Sequence, residues 1–141
     1  MQPPMSENLY FNLTALSREI SAIAENTFVD LGLTPSESLL IIIVNEKNET
    51  QPSEVSERIT LAPSTITRMI EKMEVRNILV RRHEGKYTFV SSTEKGKNLN
   101  ASILEKWAET QQLYKTILGD SAVKVLNTTS NSALTTFRKK K

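Results

Sequence analysis

Residues 50–80 read TQPSEVSERITLAPSTITRMIEKMEVRNILV, two short helical patterns, each opened by a proline and separated by only a few residues. Proline is tolerated in a first helical turn because the N–H it lacks would have had no partner there. A first helix beginning near Thr50 or Gln51, with Pro52 in its first turn, and a second opened by Pro63 leave no room for a linker, so the predicted helices pack on each other across a turn at Leu61 and Ala62. Val55 and Ile59 on the first, and Ile66, Met69, Ile70 and Met73 on the second, recur at helical spacing and form the inward stripes. The opposite face of the second carries Ser64, Thr65, Thr67, Arg68, Glu71 and Lys72. A helix clamped on its apolar side, with hydroxyls and cations outward, is presented to be read.

On the N-terminal side, Thr34-Pro35-Ser36-Glu37 supplies a capping Thr, a proline at the first helical position and a Glu at the third, which predicts a helix to about Asn45. Its LLIIIV body is apolar all round and belongs in a core. Further upstream, Leu9, Leu13, Leu16, Ile20, Ile23 and Phe28 predict an amphipathic helix from about Ser6 to Leu31, ended by Gly32. On the C-terminal side, ILVRR and YTFVSS read as two strands joined by a turn near Glu84-Gly85. Thr93 is expected to cap one long helix with Leu99, Ile103, Trp107, Tyr114 and Leu118 inward. After Gly119-Asp120, a last helix carries Val123, Leu126, Leu134 and Phe137 and ends in a basic tail, residues 138–141.

The order helix, helix, turn, helix, hairpin is the winged helix-turn-helix plan, in which the second helix of the pair enters a DNA major groove and the hairpin flanks it. The expected fold class is mostly α with a small β-hairpin wing. Arg68 is expected to read base edges, since arginine can give two hydrogen bonds to guanine, with Thr65 and Thr67 as adaptable partners. Ser64 and Lys72 suit phosphate oxygens, as does Ser53 in the first turn of the preceding helix. Arg81, Arg82 and Lys86 add a cationic wing.

Residues 34–99 resemble the MarR family of bacterial transcription regulators, through LTPSESLLIII (33–43), QPSEVSERITLAPSTITRMIEKMEVRNILVRR (51–82) and STEKGKNL (92–99). The resemblance implies a single domain over 1–141, with a winged DNA-binding lobe at 34–93 and dimerisation helices at 1–33 and 94–141. It implies a homodimer that acts as a repressor on a palindromic double-stranded operator, with release by a small phenolic or lipophilic effector whose binding residues the resemblance does not assign. Relatives carry a longer wing in which an Asp and an Arg brace the tip and enter the minor groove. Here HEGKY (83–87) replaces that stretch, no residue inherits the Asp role, and Lys86, with Arg81 and Arg82 at the base, stands in. Where relatives often have glycine in the turn, this chain has Thr60.

Composition agrees with that reading. Residues 1–50 hold two Lys/Arg against seven Asp/Glu, a net of −5, whereas 51–100 carry +3 and 101–141 carry +4. Such asymmetry draws a polyanion to the middle and tail. No cysteine is present, which removes thiolate metal sites and redox switches. The lone His83 has no convergent donors, so no metal or other cofactor is expected. No nucleophile, base and orienter series and no glycine-rich phosphate loop occurs, so the chain is not expected to be an enzyme. The longest apolar run, 39–44, is too short to cross a bilayer and the N-terminal stretch lacks a secretory pattern, so no membrane contact and a cytoplasmic address are expected. The alternative is a winged-helix module that binds protein and lacks sequence-specific DNA binding.

Overall fold

The structure is a computed structural model that describes residues 4–140; Lys141, at the end of the basic tail, and the first three residues lie outside the described part. In chain order the helices are α1 (Leu9–Phe28), α2 (Pro35–Asn45), α3 (Pro52–Ile59) and α4 (Pro63–Val75), then β1 (Leu79–Glu84) and β2 (Tyr87–Ser92), then α5 (Glu94–Asn98), α6 (Asn100–Leu118) and α7 (Asp120–Lys139). Short 3-10 turns precede and follow α1 at Met5–Glu7 and Val29–Leu31. The chain divides into two compact units, one of residues 28–106 and one of residues up to Thr27 together with Trp107 onward.

The 28–106 unit is built on α2. Its capping box forms as the sequence predicts: the Thr34 hydroxyl accepts from the Glu37 amide at 3.1 Å, and the Glu37 carboxylate accepts from the Thr34 amide at 2.8 Å. That fixes where the helix starts. Leu40, Ile41 and Val44 are then fully buried with Val55, Ile66, Ile70, Met73, Ile78 and Val90. These side chains come from α2, α3, α4, the turn before β1 and strand β2, and α3, α4 and β2 contact the apolar helix or one another. Leu39, on the outer side of α2, is 36% exposed, so the run is covered on most but not all of its circumference.

The turn between α3 and α4 is held by Ser56, whose hydroxyl donates to the Leu61 carbonyl at 2.6 Å while its carbonyl accepts from the Thr60 and Leu61 amides. Thr60 ends α3 in the left-handed region, at φ 64° and ψ 40°. A β-branched residue is strained there by roughly 1–2 kcal/mol, which glycine avoids at the cost of a more disordered unfolded chain. Thr60→Gly is therefore expected to raise the unfolding free energy by about 0.5–1 kcal/mol, read as a higher urea midpoint. A lowered midpoint would show that the turn depends on the threonine side chain.

Two details differ from the sequence reading. Thr50 does not begin α3; it pairs with Val90 through two backbone hydrogen bonds of 2.9 and 2.8 Å, adding one rung to the edge of the hairpin. Pro52 starts the helix with Gln51 as its N-cap. The long helix predicted after Thr93 is interrupted at Leu99. The Gly96 carbonyl there accepts from the Asn45 side chain at 3.1 Å and from the Leu99 amide at 3.3 Å, a tightened i to i+3 turn that separates α5 from α6.

In the other unit, Ala24, Tyr114 and Val123 are buried, and the Tyr114 hydroxyl donates to the Ile20 carbonyl at 2.7 Å. Burial pushes the Tyr114 phenol above its ordinary pKa. Leu9 and Leu13 of the α1 stripe and Leu134 and Phe137 of the α7 stripe are exposed, with Leu9 at 71% and Phe137 at 68%. Helical spacing places each pair on the apolar stripe of its own helix, and no described residue covers these ends.

Candidate nucleic-acid interface

Helix α4 is oriented by what it buries. Ile66, Ile70 and Met73 are essentially inaccessible, and Met69 is half-buried. The rotation that buries them exposes Ser64, Thr67, Arg68, Glu71 and Lys72 and leaves Thr65 half-buried at the flank. Thr67 donates back to the Pro63 carbonyl at 3.0 Å, which satisfies its proton and leaves its oxygen as an acceptor. Among the described residues Arg68 has no hydrogen bond or ion pair within the chain, so its five donors face solvent.

The hairpin has six residues in each strand and a two-residue tip, Gly85-Lys86, one position later than the sequence suggested. Glu84 pairs with Tyr87 across it, and Gly85 takes a φ of 59°, a value that glycine reaches without strain. Between this tip and the two helices runs an open cleft of about 380 Å³. It brings together Ser53, Thr67, Arg81 and Lys86 of the expected set, and adds Gln51 and Tyr87. Tyr87 is 51% exposed, and the Lys86 ammonium lies over its ring, 5.7 Å from the centroid. An exposed aromatic beside a lysine at a turn was the signal that could have found it.

The remaining expected residues are placed differently. Ser64, Thr65 and Arg68 lie along α4 outside the cleft. The Lys72 ammonium lies 3.1 Å from Glu37 Oε2, tying α4 to the cap of α2 while remaining 58% exposed. Arg81 Nε is 2.8 Å from Glu74 on α4, and its Nη1 is 4.0 Å from Glu71. Arg82 pairs at 2.8 Å with both Glu49 and Glu84, and its guanidinium lies 4.7 Å from the centre of the Phe89 ring. The Glu49 and Glu84 carboxylates push the already high Arg82 pKa further up. Three of the expected cations thus carry carboxylates of their own chain, while among the described residues Arg68 and Lys86 have none.

His83 lies on the hairpin with Nδ1 3.1 Å from the Thr88 hydroxyl. Among the described residues no group of three His, Cys, Asp or Glu is arranged to hold a metal ion. No single helix there is long and apolar enough to cross a membrane.

No family model matches the chain. A curated relative, the HTH-type transcriptional repressor MdtR of Bacillus subtilis, is 24% identical over 82 residues, which are 58% of this chain and 53% of the relative. The match thus spans about half the length of that repressor. A regulator of the MarR family from Rhodococcus sp. RHA1 superposes with a TM-score of 0.79 at 21% identity, covering 94% of this chain and 96% of that one. The chain has the MarR fold. CouR from Rhodococcus jostii RHA1, solved with p-coumaroyl-CoA, gives a TM-score of 0.79 at 19% identity over 94% of this chain and 95% of its own. CouR bound to a 23-mer DNA duplex gives 0.78 at 16%, over 94% and 99%. The MarR fold therefore extends beyond residues 34–99, which carry the sequence resemblance, into the outer helices.

Proposed function

We propose that this protein is a dimeric, sequence-specific DNA-binding transcription regulator, a repressor that acts in the cytoplasm on a palindromic operator and has no enzymatic activity. The observation that carries this reading is α4, whose buried Ile66, Ile70 and Met73 leave Arg68 without an internal partner beside a cationic hairpin tip. Arg68 reads base edges with Thr65 and Thr67. Ser53, Ser64, Lys72 and Lys86 meet the phosphate backbone, which fixes register without carrying sequence information. A fold shared with a repressor solved on a DNA duplex supports the assignment.

The outer helices, residues 1–33 and 94–141, are the dimerisation elements of this proposal. Leu9, Tyr10 and Phe137, each more than 60% exposed, form apolar surface that a second copy would cover. A cleft of about 230 Å³ beside α1 and α6 is lined by Ala22, Ile23, Leu113 and Ile117 with Glu19 and Asn26 at its rim. Its apolar lining is where this proposal places a phenolic or lipophilic effector, and the p-coumaroyl-CoA complex of CouR supports an effector of aromatic character.

The test is selection of duplexes from a random pool, followed by binding across a salt series. The expected result is a palindromic consensus whose affinity falls steeply as salt rises, because each neutralised phosphate releases counterions. The alternative is a module that binds protein, favoured by the internal pairing of Arg81 and Arg82. It predicts no consensus in that selection.

A further inference from the structure

We infer that Arg82 is a positioning residue that fastens the wing to the segment entering α3, and that the wing meets DNA through Lys86 at its tip, touching phosphate and reading no base. The inference rests on the DNA-binding reading above and assigns roles within it.

The strand register sets which way each wing cation points. Arg81 pairs with Val90 and His83 with Thr88, so these four share one face of the hairpin. That face is directed inward: Val90 is fully buried, Arg81 bonds to Glu74 of α4, and Arg81 and Thr88 both line the cleft with Ser53 and Thr67. Arg82 pairs with Phe89 and therefore projects from the opposite face. There it stacks on the Phe89 ring, and its guanidinium divides between Glu84 two residues on and Glu49 thirty-three residues back. Glu49 immediately precedes Thr50, the residue bonded to Val90 through both of its backbone groups. Arg82 thus closes the outer side of a joint whose inner side is the Thr50–Val90 rung. Its effect is to set the angle of the hairpin against α3 and α4, and so the place where the tip meets a phosphate.

For Arg82 to reach DNA it would have to leave two carboxylates and an aromatic face and cross to the other side of the sheet. Both carboxylates would then remain unneutralised near the polyanion, a repulsive arrangement. Lys86 has neither obstacle. It belongs to a two-residue turn, is exposed, and its ammonium has no carboxylate partner among the described residues. A lysine at a tight turn supplies one mobile point charge, which suits a phosphate oxygen and lacks the fork that discriminates bases.

The experiment measures the dissociation constant of the selected duplex over a salt series for the unchanged protein, Lys86→Ala, Arg82→Ala, Arg82→Glu, and Arg82→Glu combined with Glu49→Arg. Lys86→Ala should flatten the salt dependence by about one unit per protomer, as loss of a phosphate contact does. Arg82→Ala should weaken binding by roughly threefold to tenfold at every salt concentration with the slope unchanged, and the consensus should stay the same. Arg82→Glu should lose roughly tenfold or more, and the exchanged pair, which restores a cation between two carboxylates, should recover to within roughly threefold of the unchanged protein. A flattened slope for Arg82→Ala, or an exchanged pair that binds no better than Arg82→Glu, overturns the assignment. Circular dichroism reports folding of each variant; if Arg82→Ala does not fold, the exchanged pair decides. An unchanged protein with no preferred duplex overturns the regulatory reading itself, and this assignment with it.

Discussion

Replacing Arg68 by alanine is expected to raise the dissociation constant for the selected operator by roughly tenfold to a hundredfold, and to erase the preference at one position of each half-site. The expectation follows from position and from partners. Arg68 is on the exposed side of α4, one turn from the Pro63 start, on a helix whose rotation is locked by three inaccessible side chains. Arg81 and Arg82 each have a carboxylate of the chain at 2.8 Å, so their charge is already in use. Arg68 is free to place two N–H groups on the O6 and N7 of a guanine, an arrangement that discriminates bases by about 1–3 kcal/mol. Binding to random duplex should change far less, because that affinity is the sum of many phosphate contacts of which Arg68 is at most one. Fluorescence anisotropy with selected and scrambled duplexes separates the two effects. Equal losses on both would make Arg68 a phosphate contact, and no loss on either would remove α4 from the interface.

What could be read from the chain and what could not divides by sequence distance. The Thr34–Glu37 box, the proline starts of α3 and α4, and the Ile66-Ile70-Met73 stripe are contacts among residues three or four apart, and spacing alone encodes them. The outward face of α4 followed, because burying one stripe fixes the rest of the helix. The partners of the cations were invisible: Glu37 is thirty-five residues from Lys72 and Glu49 thirty-three from Arg82, and no local pattern announces either pair. The break at Leu99 was hidden for the same reason, since Asn45, fifty-one residues away, takes the Gly96 carbonyl. Thr60 shows the opposite failure. It stands at a left-handed position although its type argues against one, and tertiary packing across the turn overrides that local preference. The apolar ends of α1 and α7 are exposed in the single chain, since periodicity reports that a stripe exists and not which chain covers it.

The largest loss of stability expected from a single methyl group is at Gly96. Its backbone angles are those of α5 and make no demand for glycine; the demand comes from outside the helix. A Cβ at this position would stand 2.3 Å from the carbonyl oxygen of Ile78 and 3.2 Å from the Ser92 side chain. The Ser92 hydroxyl is held by its bond to the Asn45 side chain, and the Ile78 carbonyl is fixed as well. It accepts from the Thr93 amide at 3.1 Å and lies 3.1 Å from the Thr93 hydroxyl, whose proton points to the nearer Asn77 carbonyl at 2.7 Å and whose oxygen accepts from the Gly96 amide to cap α5. Making room therefore separates α5 from the start of β1 and strains every bond at the base of the wing, including that from Asn45 to the Gly96 carbonyl. Overpacking against backbone costs typically 1–3 kcal/mol, and the absence of any yielding neighbour puts Gly96→Ala at about 3 kcal/mol, on the order of 10 °C in Tm. Since Ile78 leads directly into the strand that carries Arg81 and Arg82, the surviving folded fraction should also bind DNA more weakly than its population explains. Thermal melts by circular dichroism, with binding measured well below the transition, check both parts. A melting temperature within a degree or two of the unchanged protein would show that α5 can move away from β1 freely, and that the wing is not anchored through Gly96.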